Sequence, residues 1–240
     1  MSNVKNVVAF EQLLGYCTGF GGSYNPGHSH LQVKAMQTLL KKAKDAMQQV
    51  KVTRTEFNDL TNEREIAFKQ MKVLASKVVF NLAAAKVTDQ KLADARQYFR
   101  LITGRIATQR PPVPGEVAAQ PTVAGWSGRQ LNYASLADNF QKLVQTVSTE
   151  PLYQANEPEL TIDGLKAKAN YYQSLNTRIA QASAAGSNAR IQRDQLLYNG
   201  DEALVTTASS AKKYVRVAYG FGSDQHRQLI RLRFTKPNKR

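Results

Sequence analysis

The sequence predicts an all-α fold of long antiparallel helices arranged as two similar bundle halves, and three observations carry that reading. No glycine or proline interrupts the 76 residues from His28 to Thr103, which are rich in Ala, Lys, Gln, Leu and Met. Such a run is helical by propensity alone. Within it, Met36, Leu40, Ala43, Met47, Val50, Phe57, Phe68, Met71, Ala75, Val78 and Leu82 fall on one seam of alternating four- and three-residue steps, broken only at Arg54, Thr61 and Arg64. That is a heptad stripe, the pattern of a helix that buries one edge against others. Third, the pattern returns after about 130 residues.

In chain order, Phe10-Glu-Gln-Leu-Leu marks a first short helix, and the turn Tyr24-Asn-Pro-Gly-His-Ser-His-Leu31 ends it. A long helix then runs from about Ser29 to Ala85, with a break near 58–62 as the competing description. Thr88 and Asp89 form an N-terminal cap for a shorter helix carrying Leu92, Ala95, Phe99 and Ile102, which Gly104 closes. From Arg105 to Gln130 the texture changes to four of the eight prolines with Gly115, Gly125 and Gly128, which reads as a linker. The single tryptophan, Trp126, is expected to pin that linker onto a helix surface.

The second half repeats the plan. Phe140-Gln-Lys-Leu-Val matches Phe10-Glu-Gln-Leu-Leu, and the turn from Tyr153 to Leu160 matches that from Tyr24 to Leu31. Leu160-Thr-Ile162 then matches Leu31-Gln-Val33, and Asn188-Ala-Arg190 matches Asn62-Glu-Arg64, at offsets of 126 to 130 residues. A repeat with a three-residue deletion explains these offsets. The expected seam of the second long helix is Ile162, Leu165, Ala169, Tyr172, Ile179, Ser183, Gly186, Arg190 and Leu197, and Ser183 to Ser187 is small enough for a neighbouring helix to come close. The expected organisation is a half over 1–104, a linker over 105–130, a second half over 131–223 and a basic segment over 224–240. In that last segment Arg231, Arg233 and Thr235 alternate with Leu232 and Phe234, which fits either a short strand or a helix to about Arg231 followed by an extended tail.

Asn188-Ala-Arg190, Val217-Ala-Tyr-Gly-Phe-Gly-Ser223 and the ending Arg231-Leu-Arg-Phe-Thr-Lys236 resemble a set of helical proteins of about 240 residues from Bacteroidetes. The likeness spans most of the chain, the Tyr-Asn-Pro turn included. It implies a helical fold and a bacterial source, and it brings no residue roles.

Chemistry-bearing constellations are sparse. Three histidines and one cysteine offer few parts for a nucleophilic triad, and Gly19-Phe-Gly-Gly22 and Gly220-Phe-Gly222 do not match a phosphate-binding loop. Glu63 and Glu65, two apart on a helix, do not face each other. The expectation is a protein that is not an enzyme and carries no cofactor. His28 and His30 are the candidate metal pair, but their spacing of two, without a Cys or His partner at zinc spacing, favours a helix-start turn and no metal site. Asn62, Arg64, Asn188 and Arg190 stand on or beside positions of the apolar seams, so a polar layer fixing helix register is expected of them.

The largest chemical signal is charge. Thirty-three basic residues face 18 acidic ones, a net of +15, with +9 in residues 1–110 and +6 in 111–240. Lys41, Lys42 and Lys44 form one concentration. Arg227, Arg231, Arg233, Lys236, Lys239 and Arg240, with no acid among them, form another. A basic helix face and a basic tail are the footprint of a polyanion binder, with nucleic-acid backbone the expected partner. No helix-turn-helix, zinc-finger or RNA-binding aromatic motif accompanies them, so base-specific reading is not expected. The rival expectation is a self-assembling structural subunit whose long helices meet those of other copies. The single Cys17 allows no internal disulfide, no apolar run approaches the roughly 20 residues of a membrane-spanning helix, and no secretory signal is recognised, so a cytoplasmic protein is expected.

Overall fold

The computed structural model describes residues 2–104 and 132–236. The linker over 105–130, with Trp126, and the end from Pro237, with Lys239 and Arg240, lie outside the described residues. The described residues hold seven α-helices and no strand: α1 Ser2–Gly19, α2 Val33–Ala84, α3 Asp89–Thr103, α4 Tyr133–Ser148, α5 Ile162–Tyr198, α6 Leu204–Tyr219 and α7 Asp224–Ile230. The chain is all-α, as its propensities and seam predict.

The long helices form where they are expected. α2 is one uninterrupted helix of 52 residues, so the break considered near 58–62 is absent. The Thr88 hydroxyl accepts from the Lys91 amide at the start of α3. Gly104 closes that helix in the left-handed region at φ 70, its amide donating to the Arg100 carbonyl. That φ is one an L side chain seldom adopts, which is why glycine stands there.

The buried faces leave the predicted heptad frame at a few positions. In α2 Arg54 is exposed and Thr61 half-buried, while Thr53 and Leu60, one residue earlier, are buried. In α5 Ser183 and Arg190 are exposed, and Ala182 and Ala189 take the inward positions. These are departures at single positions, because Phe68, Met71, Ala75, Val78 and Leu82 of α2 and Gly186 and Leu197 of α5 are buried on the predicted frame. The expected polar layer is not formed. Asn62, Asn188 and Arg190 are exposed and Arg64 is only half-buried, so the four do not line an interior.

The chain divides into two compact units, one made of the chain up to Phe57 with the part from Ala182 onward, the other of Asn58–Gln181. Each unit therefore mixes pieces of both sequence halves. α2 gives its first part to one unit and its second part to the other, and α5 does so in reverse.

In the unit that holds the termini, α1 packs on α6 and α7, and Phe10, Leu13, Cys17, Met36, Ala43, Leu197, Leu204 and Leu229 form one buried cluster. The segment after α7 lies on this cluster through Leu232 and Phe234. It is not a strand. The buried Asn6 side chain acts as its backbone partner, with Nδ2 donating to the Thr235 carbonyl at 2.7 Å and Oδ1 accepting from the Thr235 amide at 3.0 Å. Period-two alternation here reflects an extended chain with one docked face and no neighbouring strand.

In the Asn58–Gln181 unit, α3 packs on α4, and the centre is aromatic. Phe68 meets Tyr133 and Tyr172 at ring distances of 4.9 and 5.3 Å, and Phe140 meets Tyr172 at 5.3 Å. Glu63 bonds Arg178, and Lys77 bonds Glu159, so the α2 and α5 parts run antiparallel here.

One local geometry occurs twice. The Tyr24 hydroxyl donates to the Leu31 carbonyl at 3.0 Å, and the Tyr153 hydroxyl donates to the Leu160 carbonyl at 3.0 Å. Around them, Tyr24 and Tyr153 amides donate to Gly21 and Glu150, Leu31 and Leu160 amides to His28 and Glu157, and Met36 and Leu165 amides to Gln32 and Thr161. Each pair is 129 residues apart. The turns differ at one point: a Cβ on Gly164 would stand 2.2 Å from the Pro158 carbonyl oxygen, and the matching residue in the first turn is Ala35.

Candidate nucleic-acid interface

The fold redistributes charge that the sequence spreads along its length. The unit holding both termini owns 18 basic and 7 acidic residues, a net of +11, and the Asn58–Gln181 unit owns 15 and 11, a net of +4. The nine basic residues singled out by sequence all belong to the first unit.

Lys41, Lys42 and Lys44 are exposed on α2, a stretch where Leu40 and Ala43 point into the core. Lys44 is paired with Glu11 of α1 at 2.5 Å, whereas Lys41 and Lys42 are in no ion pair among the described residues. Arg227, Arg231, Arg233 and Lys236 are exposed too. Among the described residues only Arg227 of these has a carboxylate partner, Asp224 at 3.7 Å. Docking of Leu232 and Phe234 turns Arg231 and Arg233 outward by simple alternation.

Some basic groups are withdrawn. Lys212 donates to the Leu232 carbonyl and lies 5.0 Å from the Phe234 ring centre, and desolvation lowers its pKa below the ordinary lysine value. His226 is buried. Its Nδ1 accepts from the Gly222 amide and its ring meets Phe221, so it is a piece of core rather than the edge of a basic arm. In the other unit the Arg64 guanidinium stacks on the Tyr133 ring at 4.0 Å, and its Nε has no hydrogen-bond partner. Arg190 donates from Nε to the Gly186 carbonyl of its own helix. Asn6 and Lys212 were not legible as docking residues, because no local pattern says that Thr235, 229 residues on, needs an amide partner or that the Leu232 carbonyl, 20 residues on, needs a donor.

The same unit contains a cleft of about 650 Å³. Its walls come from the start of α2, the end of α5 and the first turn of α6, and Lys42 and His30 line it too. His28 is exposed, its ring 5.8 Å from that of His30, and no group of three metal-binding side chains occurs among the described residues. Cys17 is fully buried, and burial pushes its thiol up to about 11, the hydrogen bond with Tyr24 working the other way. A thiol held so far above neutrality is not a nucleophile at physiological pH. No helix among the described residues is long and apolar enough to cross a membrane. Comparison with protein-family models, curated proteins and solved structures gave no match.

Proposed function

We propose that the chain is a non-enzymatic binder of nucleic-acid backbone, acting through the unit that carries both termini and without sequence specificity. The observation that carries this reading is the sorting of charge: one compact unit gathers a net of +11. Lysines and arginines that lack carboxylate partners displace condensed counterions from a phosphate backbone, and affinity follows from that release. The recurrent Tyr–Leu turns support a second element of the reading, that one helical plan occurs twice and that its surfaces have diverged, one toward polyanion binding.

A rival is favoured by a different feature. Ile66, Val73 and Phe80 are exposed at seven-residue intervals on α2, the spacing of a helix edge that meets another copy in a self-assembling subunit.

The test changes Lys41, Lys42, Arg231, Arg233, Lys236, Lys239 and Arg240 to glutamine. A control changes Lys72, Lys86, Arg96, Arg100 and Lys166, exposed residues of the other unit. Binding to duplex and single strands is measured across salt beside thermal stability. The first set is expected to lose at least about tenfold in affinity at low salt and to flatten the decline of log affinity with log salt by roughly 0.7 to 0.9 per lost contact. The control should change both far less. Equal losses from the two sets, or no binding by the parent chain, would reject the reading. Light scattering that finds an assembly persisting at high salt would move the weight to the rival.

A further inference from the structure

The cleft beside Lys42 has a chemistry that backbone attraction leaves unused. Gln192 and Gln195 line it from the last turns of α5 and Asn199 from the residue that follows, its amide still donating to the Gln195 carbonyl. At i, i+3 and i+7 they share one helix face and span about 10 Å. None of the three side chains makes a hydrogen bond within the described residues. A carboxamide presents a donor and an acceptor side by side, which is the pattern a nucleobase edge presents in return.

The remaining lining limits what can enter. Leu39 and Leu196 supply apolar surface against which a planar ring loses water, and the half-buried His30 imidazole offers a flat face for stacking. Lys42 stands ready for the attached phosphate. Glu202 also lines the cleft, and its carboxylate repels phosphate while accepting from an exocyclic amine. Adenine, cytosine and guanine carry such an amine, whereas thymine and uracil do not. Bases stacked inside a duplex cannot reach into a pocket of this kind, but a base splayed from a single strand can.

From this we infer that the cleft lined by Gln192, Gln195, Asn199, Glu202, His30 and Lys42 receives an unstacked, amine-bearing base of a single-stranded nucleic acid. The inference rests on the backbone-binding reading and deepens it, adding a preference for single strands that contain adenine, cytosine or guanine over thymine. The carboxamides read the edge, Lys42 holds the phosphate, and the carboxylate discriminates among bases.

The experiment uses the full chain and strands of about 20 nucleotides: oligo-dC, oligo-dT, an abasic strand of equal length and a duplex. Oligo-dC is expected to bind at least about fivefold tighter than the abasic strand and than oligo-dT, the low end of what one good edge contact contributes. Gln195→Ala with Asn199→Ala should bring oligo-dC down to the abasic level with an unchanged salt slope and unchanged melting temperature. Glu202→Gln should erase the difference between oligo-dC and oligo-dT. If abasic and base-bearing strands bind alike, or the double variant leaves oligo-dC untouched, the cleft is not a base pocket, while a retained salt slope keeps the backbone reading. Failure of every strand to bind removes both.

Discussion

The two compact units share a turn geometry but differ in what they do with charge. In Asn58–Gln181 11 acids face 15 bases, and Lys69, Lys77, Lys142 and Arg178 are each held by a carboxylate, two of them by residues far away in sequence. The unit of the termini has more bases and fewer acids, and among the described residues most of its exposed cations are in no ion pair. Their interiors differ in the same sense. One is centred on Phe68, Phe140 and Tyr172, while the other admits Ala182, Gly186 and Ala189 on α5. A shared turn geometry is compatible with different surfaces, since turn hydrogen bonds fix the path of the chain and surface charge does not.

The comparison breaks most visibly at its largest buried side chains. Phe10 and Phe140 are both fully buried, one in each unit, at positions 130 apart. Phe10→Ala and Phe140→Ala are each expected to cost about 3–5 kcal/mol, the range for deleting a core aromatic. Chemical denaturation of the two variants checks this. A cost below about 1 kcal/mol in either one would mean that the two positions do not perform the same job.

A smaller effect is expected at the turns. Removing the hydroxyl in Tyr24→Phe or Tyr153→Phe strands the carbonyl of Leu31 or Leu160, both buried residues, at about 1–3 kcal/mol each. Burial raises the pKa of both phenols, that of Tyr153 to about 12, so the hydroxyls remain donors throughout the physiological range. Thermal melts that fall by similar amounts sustain the parallel. A loss confined to one turn would show that the second bond is incidental.

How much of this was legible in the sequence depends on the range of the interaction. The caps of α3, the unbroken α2 and the Tyr-to-Leu spacing are local, and propensity and periodicity read them correctly. The seam of α5 departs from the packing by one residue at Ser183 and Arg190, where Ala182 and Ala189 turn inward, while Gly186 and Leu197 on the same frame are buried. Docking of the tail by Asn6, burial of His226 and the gathering of charge depend on contacts between distant segments, about which local pattern says nothing. The cleft belongs to that class too. Its Gln192, Gln195 and Asn199 look in sequence like the solvated face of any helix.

The smallest expected effect lies where the two long helices match at Asn62 and Asn188. That alignment sets Leu60 of α2 against Gly186 of α5, so a buried leucine in one unit corresponds to a buried glycine in the other. A Cβ on Gly186 would stand 3.6 Å from an Arg190 guanidinium nitrogen and 3.8 Å from the Thr53 hydroxyl, ordinary van der Waals distances. Alanine therefore fits without displacing its neighbours, and it restricts the unfolded chain more than glycine does. Gly186→Ala is expected to stabilise by about 0.5–1 kcal/mol. Gly186→Leu, which copies the matching position, should instead destabilise, because the extra atoms meet Thr53 and Arg190 with no space left for them. Denaturant midpoints of the two variants decide the matter. A gain from alanine with a loss from leucine would show that this stretch of α5 is small because its neighbour is close, and that the two units diverged in their packing as well as in their charge. A gain from both would mean that the glycine sits over room the structure does not use, and the likeness between the units would then extend further inward than their present residues suggest.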